Sequence, residues 1–520
     1  MVDRTAFTQG QARFLAALTG ADRLFLLLWL LVLGWRLLFL VTNQLGLSAD
    51  EMHYWDWSRQ PDLAYYSKGP MVAWLIAGST ALFGISPLAI RLPAVMLGAL
   101  LILLLYRYAR RRLGPRPALV VATVAQFLPI VGGLGVAMTT DPPMLLSWLV
   151  ALTALEAAVR GQRRSAWLIY GVATALGVLT KATMLLLPMG LTAAAVSIPC
   201  CRSQLRQPGF WMGQGLALSG LLPLLVWNCL HDWVNWSHNV GHLGVGRSVS
   251  SLDLVLRRVL ELLGGQWLLF GLVTTPLLLG AAALAWRRSW RQRDPYPLLL
   301  GSLALQLLLV CLLVASRRSV YPNWPLPLGL IALLLWVEAW PALRPQPCWR
   351  RLWLWGSALN LLVLLLAHLP FFGIRFGWSH RHLPTRKLVG WQELISTLQR
   401  DRLPWLTAAP LILSDRYTTA SALAYGLQRP SGSVLTLGLG RGRMNQYDLW
   451  ARDELPRRLG QNALIVLDPD TNPAPLRLLF TQLTPLPTLQ IEVADQPWRQ
   501  YQLWFGVAYN GHVLPSPSRR

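Results

Sequence analysis

The sequence predicts an α-helical polytopic membrane protein that carries a small C-terminal α/β extracytoplasmic domain. Hydrophobic residues make up 54% of the 520 and charged residues only 13%, and the mean hydropathy is +0.41. Apolar runs of spanning length alternate with clusters of arginine, whereas the chain after Phe372 has ordinary soluble proportions. The bilayer is the solvent for most of this sequence.

The first apolar run, Leu24 to Val41, nearly reaches the roughly 20 residues a spanning helix needs. No small-residue cleavage site follows it, so it reads as a retained membrane helix. At about 17 to 25 residues per span, the pattern gives about eleven spans, near 24–42, 87–107, 117–138, 142–159, 165–180, 182–199, 210–229, 267–286, 296–315, 325–340 and 351–372. Gly69 to Gly84 is apolar but too short to span, and it is expected to lie along the interface.

The formal net charge of +24 in a soluble protein would suggest nucleic acid. Here the charge falls in bursts between spans: Arg107 to Arg116, Arg160 to Arg164, Arg202 and Arg206, Arg287 to Arg293, and Arg344 to Arg351. That is the positive-inside pattern, so membrane lipid is the expected neighbour and no nucleic-acid partner is implied. It puts the N-terminus in the cytoplasm of a cell inner (cytoplasmic) membrane. The segments 43–86, 139–141, Lys181, 230–266, 316–324 and everything after Phe372 then lie outside. The expected domains are 1–372, transmembrane, and 373–520, periplasmic. In the latter, runs such as LILSDR, YTTASALAYGL, SVLTLGLG, ALIVLDPD and LQIEV alternate between strand and helix patterns. Five cysteines, Cys200, Cys201, Cys229, Cys311 and Cys348, show neither a disulfide framework nor metal-ligand spacing.

The candidate chemistry lies on the outer side. Ser48-Ala49-Asp50-Glu51 fits a capping box, in which Glu51 returns the hydrogen bond of Ser48, and Thr140-Asp141-Pro142 reads as a helix start capped by Asp141. Either site alone is explained as a cap. Three carboxylates at one membrane boundary, Asp50, Glu51 and Asp141, also make a candidate active site, because desolvated carboxylates there are expensive unless used.

Only Lys68, Lys181 and Lys387 among the 47 basic residues are lysine, and the first two fall at that boundary. They snorkel from helix ends or, with Arg317 and Arg318, hold an anionic lipid head group; the arginine pair also fits a solvated loop. Tyr65, Tyr66, Trp55 and Trp57 suit an aromatic belt or stacking on a sugar ring. His231, His238 and His242 lie close in sequence and suit a metal or an acid-base role, with His231 a candidate substrate contact; no carboxylate stands at ligand spacing, so no metal site is assigned.

Asp50-Glu51 after the first helix, YYSKGPMVAWLI following it, TTDPP at Asp141, GVLTKA at Lys181 and YPNWPLP at Tyr321 together resemble the GT-C superfamily of membrane glycosyltransferases. They are most similar to the bacterial branch related to protein O-mannosyltransferases and the lipid A aminoarabinose transferase. The resemblance covers roughly residues 20 to 340. It implies an inverting transfer from a polyprenyl-phosphate sugar donor to a glycan, glycolipid or protein acceptor. In that reading Asp50 is the general base, Asp141 the second acidic residue, Lys68 the phosphate contact, and Lys181 and Tyr321 further head-group contacts. One position departs: the aminoarabinose transferases carry a metal-binding Glu just before the matching lysine, and this chain has Ser67. No cofactor is therefore required, although a divalent cation is compatible. The tail segments ILSDRYTTASALAYGL and RGRMNQYDLW are similar to the outer domain of bacterial members, with Asp415 expected to cap a helix. The rival from another class is a transporter or flippase of lipid-linked sugar, which requires a matching site on the inner face.

Overall fold

A computed structural model describes residues 18–42, 46–161, 165–373, 387–439, 444–493, 495–512 and 514. Arg163, Arg164 and the segment 441–443 of the tail motif lie outside the described residues. The chain divides into two compact units. The first comprises Met1–Val41, Ala94–Leu225 and Val240–Leu365; the second comprises Thr42–Pro93, Val226–Asn239 and Leu366–Arg520. The second unit thus contains the tail together with two segments from far earlier in the chain.

The first unit is helical. Among the described residues of the chain, six helices are long and apolar enough to cross a membrane, or up to eight if each of two bent pairs is one span. The expected spans differ where the sequence breaks the helix. Segment 117–138 becomes Pro115–Gln126 and Pro129–Leu134, because Pro129 cannot donate a backbone hydrogen bond and Leu128 before it is extended. Segment 165–180 is the 13-residue helix Ala166–Val178, about 20 Å long at 1.5 Å per residue and short of a ~30 Å hydrocarbon core. The expected outer loop 230–266 is largely helical, with Val234–His242 and Leu252–Phe270. The latter is bent by 99° against Thr274–Gln292.

Polar ties cross between these helices where the arginine bursts begin. Arg110 Nε donates to Asp22 at 2.6 Å. Arg160 reaches both Glu338 at 3.0 Å and Asp294 at 3.1 Å, and Arg112 meets Glu338 at 3.2 Å. Glu338 is shared between two guanidiniums, which lowers the penalty of burying it.

The tail of the second unit is built on a five-stranded sheet, β1 (Leu411–Ser414), β2 (Val434–Thr436), β3 (Ala463–Leu467), β4 (Phe480–Val493) and β5 (Gln496–Tyr509), in the order β2-β1-β3-β5-β4. β1 pairs in parallel with β2 and β3, while β5 is antiparallel to both β3 and β4. β1 and β3 are buried throughout, which explains their unbroken apolar runs. Pro485 and Pro487 sit in β4, the sheet edge, where a missing amide proton does least damage.

The helix Ala49–Ser58 belongs to the same unit and is fastened at both ends. The capping box forms as expected, with the Glu51 amide donating to Ser48 Oγ at 3.2 Å and the Ser48 amide to Glu51 Oε2 at 2.9 Å. Arg91 then takes the same carboxylate in a bidentate pair at 2.8 and 2.9 Å. At the other end, buried Asp56 accepts from Arg59 Nε at 2.9 Å and from the Tyr447 hydroxyl at 2.7 Å; burial pushes its carboxyl up, against the opposing pull of Arg59. Tyr447 lies on the helix Gln446–Glu454. Midway, His53 is 6% exposed, its ring stacked on Tyr447 at 5.0 Å, and burial drives its imidazole from 6.5 down to about 3.

The His53 shift fixes a pH dependence. Between pH 6.5 and about 3 the unfolded chain binds a proton that the native state refuses, so stability falls as pH falls, by at most about 1.4 kcal/mol per unit. Above that window His53 contributes no slope. Thermal unfolding at pH 7, 6 and 5 should show a smaller acid-induced drop for His53→Gln than for wild type; equal drops would refute this assignment.

Candidate active site

The expected site residues fall into two groups, one in each unit. In the second unit, Asp50 and Glu51 are adjacent but have opposite fates. Neighbours along a helix do not share a face, and Glu51 is 1% exposed whereas Asp50 is exposed. Both Glu51 oxygens are taken by Arg91 and Ser48, so its carboxylate fastens the helix. Asp50 accepts from the Tyr417 hydroxyl at 3.0 Å and is exposed, with a second carboxylate oxygen that can accept another proton donor.

The loop after this helix holds Tyr65, Tyr66 and Lys68. Tyr65 is fully buried, its ring stacked on Trp57 at 4.4 Å and its hydroxyl directed at the carbonyls of Trp57 and Gln60, both at 3.0 Å. That corrects the expectation that it stacks on a sugar: its phenol supports the loop from within. Tyr66 is half-buried and packs edge-on against His238 at 4.8 Å, while its amide donates to Gln446 Oε1 at 2.7 Å. Lys68 is half-buried, and its carbonyl accepts from the Tyr65 amide at 3.0 Å. Asn235 braces the loop by donating to the Tyr65 carbonyl at 2.6 Å. His231 stacks on Trp227 at 4.0 Å, and its Nδ1 lies 2.9 Å from the Trp227 carbonyl.

In the first unit, Asp141 opens the helix Asp141–Val159 without capping it by its side chain; Thr140 is the residue at the cap. The carboxylate turns instead to Lys181 Nζ at 2.8 Å and Asn323 Nδ2 at 2.9 Å. Lys181 is 6% exposed and Asp141 4%, so the lysine does not snorkel to water. The sequence reading missed Asn323, although it stands two residues from Tyr321 within YPNWPLP. Tyr321 itself is 54% exposed. Arg318 Nη1 donates to the Gly241 carbonyl at 2.9 Å, and Gly244, at φ +75°, lets the Arg317 side chain lie against its backbone. Among the described residues, no three His, Cys, Asp or Glu side chains gather as a metal site.

The expected cap at Asp415 is also different. Arg416 is the cap residue of the helix Tyr417–Gly426, and the Asp415 carboxylate accepts from the Asp468 amide at 3.2 Å and from the Thr471 hydroxyl. It ties the loop after β1 to the loop after β3.

The chain has the GT-C fold, and it is a multi-pass membrane protein. It superposes on ArnT from Cupriavidus metallidurans in the apo state with a TM-score of 0.62 at 16% identity, covering 93% of this chain and 98% of that one. The form bound to undecaprenyl phosphate gives 0.59 at 18% identity, covering 94% and 98%. A family model described as dolichyl-phosphate-mannose-protein mannosyltransferase matches residues 67–227. Among curated relatives, the lipid A galacturonosyltransferase RgtD of Rhizobium johnstonii is 31% identical over 325 residues, 60% of this chain and 66% of that protein. The undecaprenyl phosphate-α-4-amino-4-deoxy-L-arabinose arabinosyl transferase of Pseudomonas paraeruginosa is 29% identical over 334 residues, 60% of this chain and 57% of that one. The matched stretch thus spans less than two thirds of either relative.

The Asp141–Lys181 pair predicts a coupled response. Removing one partner of a buried pair typically costs about 3–5 kcal/mol because the other charge is stranded. Asp141→Asn and Lys181→Met should each lower the thermal midpoint, while the double variant should be no worse than the poorer single; additive losses would contradict a direct pair.

Proposed function

We propose that this chain is an integral-membrane glycosyltransferase. It moves a hexose or pentose from a polyprenyl-phosphate donor to an acceptor hydroxyl on the outer face of the cytoplasmic membrane, and its tail domain is periplasmic. The acceptor is a lipid A-like glycolipid or another cell-envelope glycan. The observation that carries this reading is Asp50: an exposed carboxylate on a helix whose other acidic groups are locked in structure. The names of the relatives, both transferases and one of them specific for a lipid-phosphate sugar, support it.

In this mechanism the Asp50 carboxylate takes the proton of the acceptor hydroxyl as that oxygen bonds to the anomeric carbon. The bond from that carbon to the phosphate oxygen breaks, and the lipid phosphate leaves with the electron pair. Attack opposite the leaving group inverts the anomeric centre. Lys68 neutralises the departing phosphate, an electrostatic effect that grows where water is excluded. The family resemblance assigns roles to Asp141, Lys181 and Tyr321 as well; in the first unit Lys181 and Asn323 hold the two oxygens of Asp141. Ser67 in place of a metal-ligating Glu argues against aminoarabinose as the sugar.

A protein acceptor is the second reading, favoured by the description of the matching family model. Both are tested by incubating membranes with radiolabelled undecaprenyl-phosphate sugars and separating lipid, glycan and protein fractions. Protein-dependent label in the glycolipid fraction is expected. Label in protein alone would move the acceptor to the second reading, and no transfer from any donor would favour transport of the lipid-linked sugar.

A further inference from the structure

The second unit contains a crevice that the reaction above does not use. β1 stands between β2 and β3, so the chain leaves β1 in one direction to form β2 and then crosses to the far side of β1 to form β3. In open α/β sheets, ligands bind beyond the carboxyl ends of the strands where the strand order reverses in this way. A cavity of about 350 Å³ lies at that point. Arg416 and Thr419 enter it after β1, Asp468 enters after β3, and Trp498, Arg499 and Tyr501 come from β5. The pairing of Leu467 with Gln502 carries the β5 residues past the end of β3 to form the third wall.

The walls are held by contacts that leave the crevice polar. Asp415, behind it, ties the two strand-end loops through the Asp468 amide at 3.2 Å and the Thr471 hydroxyl. Arg416 pairs with Asp468 yet its side chain remains 60% exposed. Arg499 is fixed 3.9 Å above the Trp391 ring, and Trp498 Nε1 donates to the Val389 carbonyl at 3.3 Å. Two guanidiniums, one carboxylate and two aromatic rings around a cavity of this size suit one small polyhydroxylated ring. Guanidinium adds a preference for a planar or tetrahedral oxyanion, which it meets with paired N–H donors. Burial, reinforced by the neighbouring Asp415, raises the Asp468 carboxyl and so weakens the one negative group facing such an anion.

We propose that this switch-point crevice is a binding site for an acidic saccharide, a single sugar ring bearing a carboxylate or a phosphate. The ring hydroxyls meet Asp468 and Thr419, and the anionic group meets Arg416 and Arg499. The inference is independent of the transferase reading, because it is read by binding and not by turnover.

The test uses the full-length protein in lipid nanodiscs free of glycoside detergent, with saturation-transfer NMR from the protein to galacturonic acid, glucose 1-phosphate and galactose. Transfer to at least one acidic sugar should exceed that to galactose, and the stronger of the two identifies carboxylate or phosphate as the preferred anion. Arg416→Gln, at an exposed position, should weaken that signal by about tenfold in apparent affinity, the loss of one charge-assisted contact. Arg499→Gln should do likewise with the unfolding midpoint checked alongside. No transfer to any sugar, equal transfer to galactose, or an unchanged signal in Arg416→Gln with the protein folded would overturn the proposal.

Discussion

The bidentate pair between Glu51 and Arg91 anchors the helix that carries Asp50. It buries a carboxylate 1% exposed by giving both oxygens to one guanidinium, while the capping box adds the Ser48 amide and hydroxyl. Arg91 also donates to the Gly46 carbonyl at 3.1 Å, fixing the entry to the helix as well as its first turn. With that end fastened, the helix Ala49–Ser58 packs against the tail domain. Ser421 donates to the Ala49 carbonyl at 3.1 Å, Trp55 meets Tyr425 edge-on at 5.1 Å, and Asp56 receives the Tyr447 hydroxyl. Asp50 remains as the carboxylate of this helix that faces outward.

Both units use the same physical device for keeping charge out of water: an acidic group at a helix start, given partners from distant sequence. Asp141 is neutralised by Lys181, with Asn323 donating to its other oxygen, as Glu51 is neutralised by Arg91. The difference is the partner. Arginine in a fork geometry completes the carboxylate's bonding and leaves a strut. A lysine point charge meets one oxygen only and leaves the other to a neutral amide.

What the sequence revealed follows from the range of the interactions involved. The capping box at Ser48 and Glu51 was legible because its partners are three residues apart, and the tail strands were legible because an unbroken apolar run marks a buried parallel strand. Arg91, 40 residues from Glu51, and Tyr447, 391 residues from Asp56, left no local trace. For the same reason Glu51 was grouped with Asp50 and Asp141 as a candidate active-site carboxylate, and Asp415 read as a cap. Tyr65 read as a surface aromatic, since only the fold shows its hydroxyl turned to Trp57 and Gln60. The span pattern blurred where proline or a bend divided an apolar run, because hydropathy registers composition and is blind to the break at Pro129.

The division of labour between neighbouring carboxylates is the central claim, and it is tested by measuring transfer and unfolding together in Asp50→Asn and Glu51→Gln. Asp50→Asn should unfold within about 0.5 kcal/mol of wild type, as expected for an exposed substitution, and transfer no sugar. Glu51→Gln should lose stability because Arg91 is left buried without its counter-charge. Transfer retained by folded Asp50→Asn, or unaltered stability in Glu51→Gln, would contradict the account.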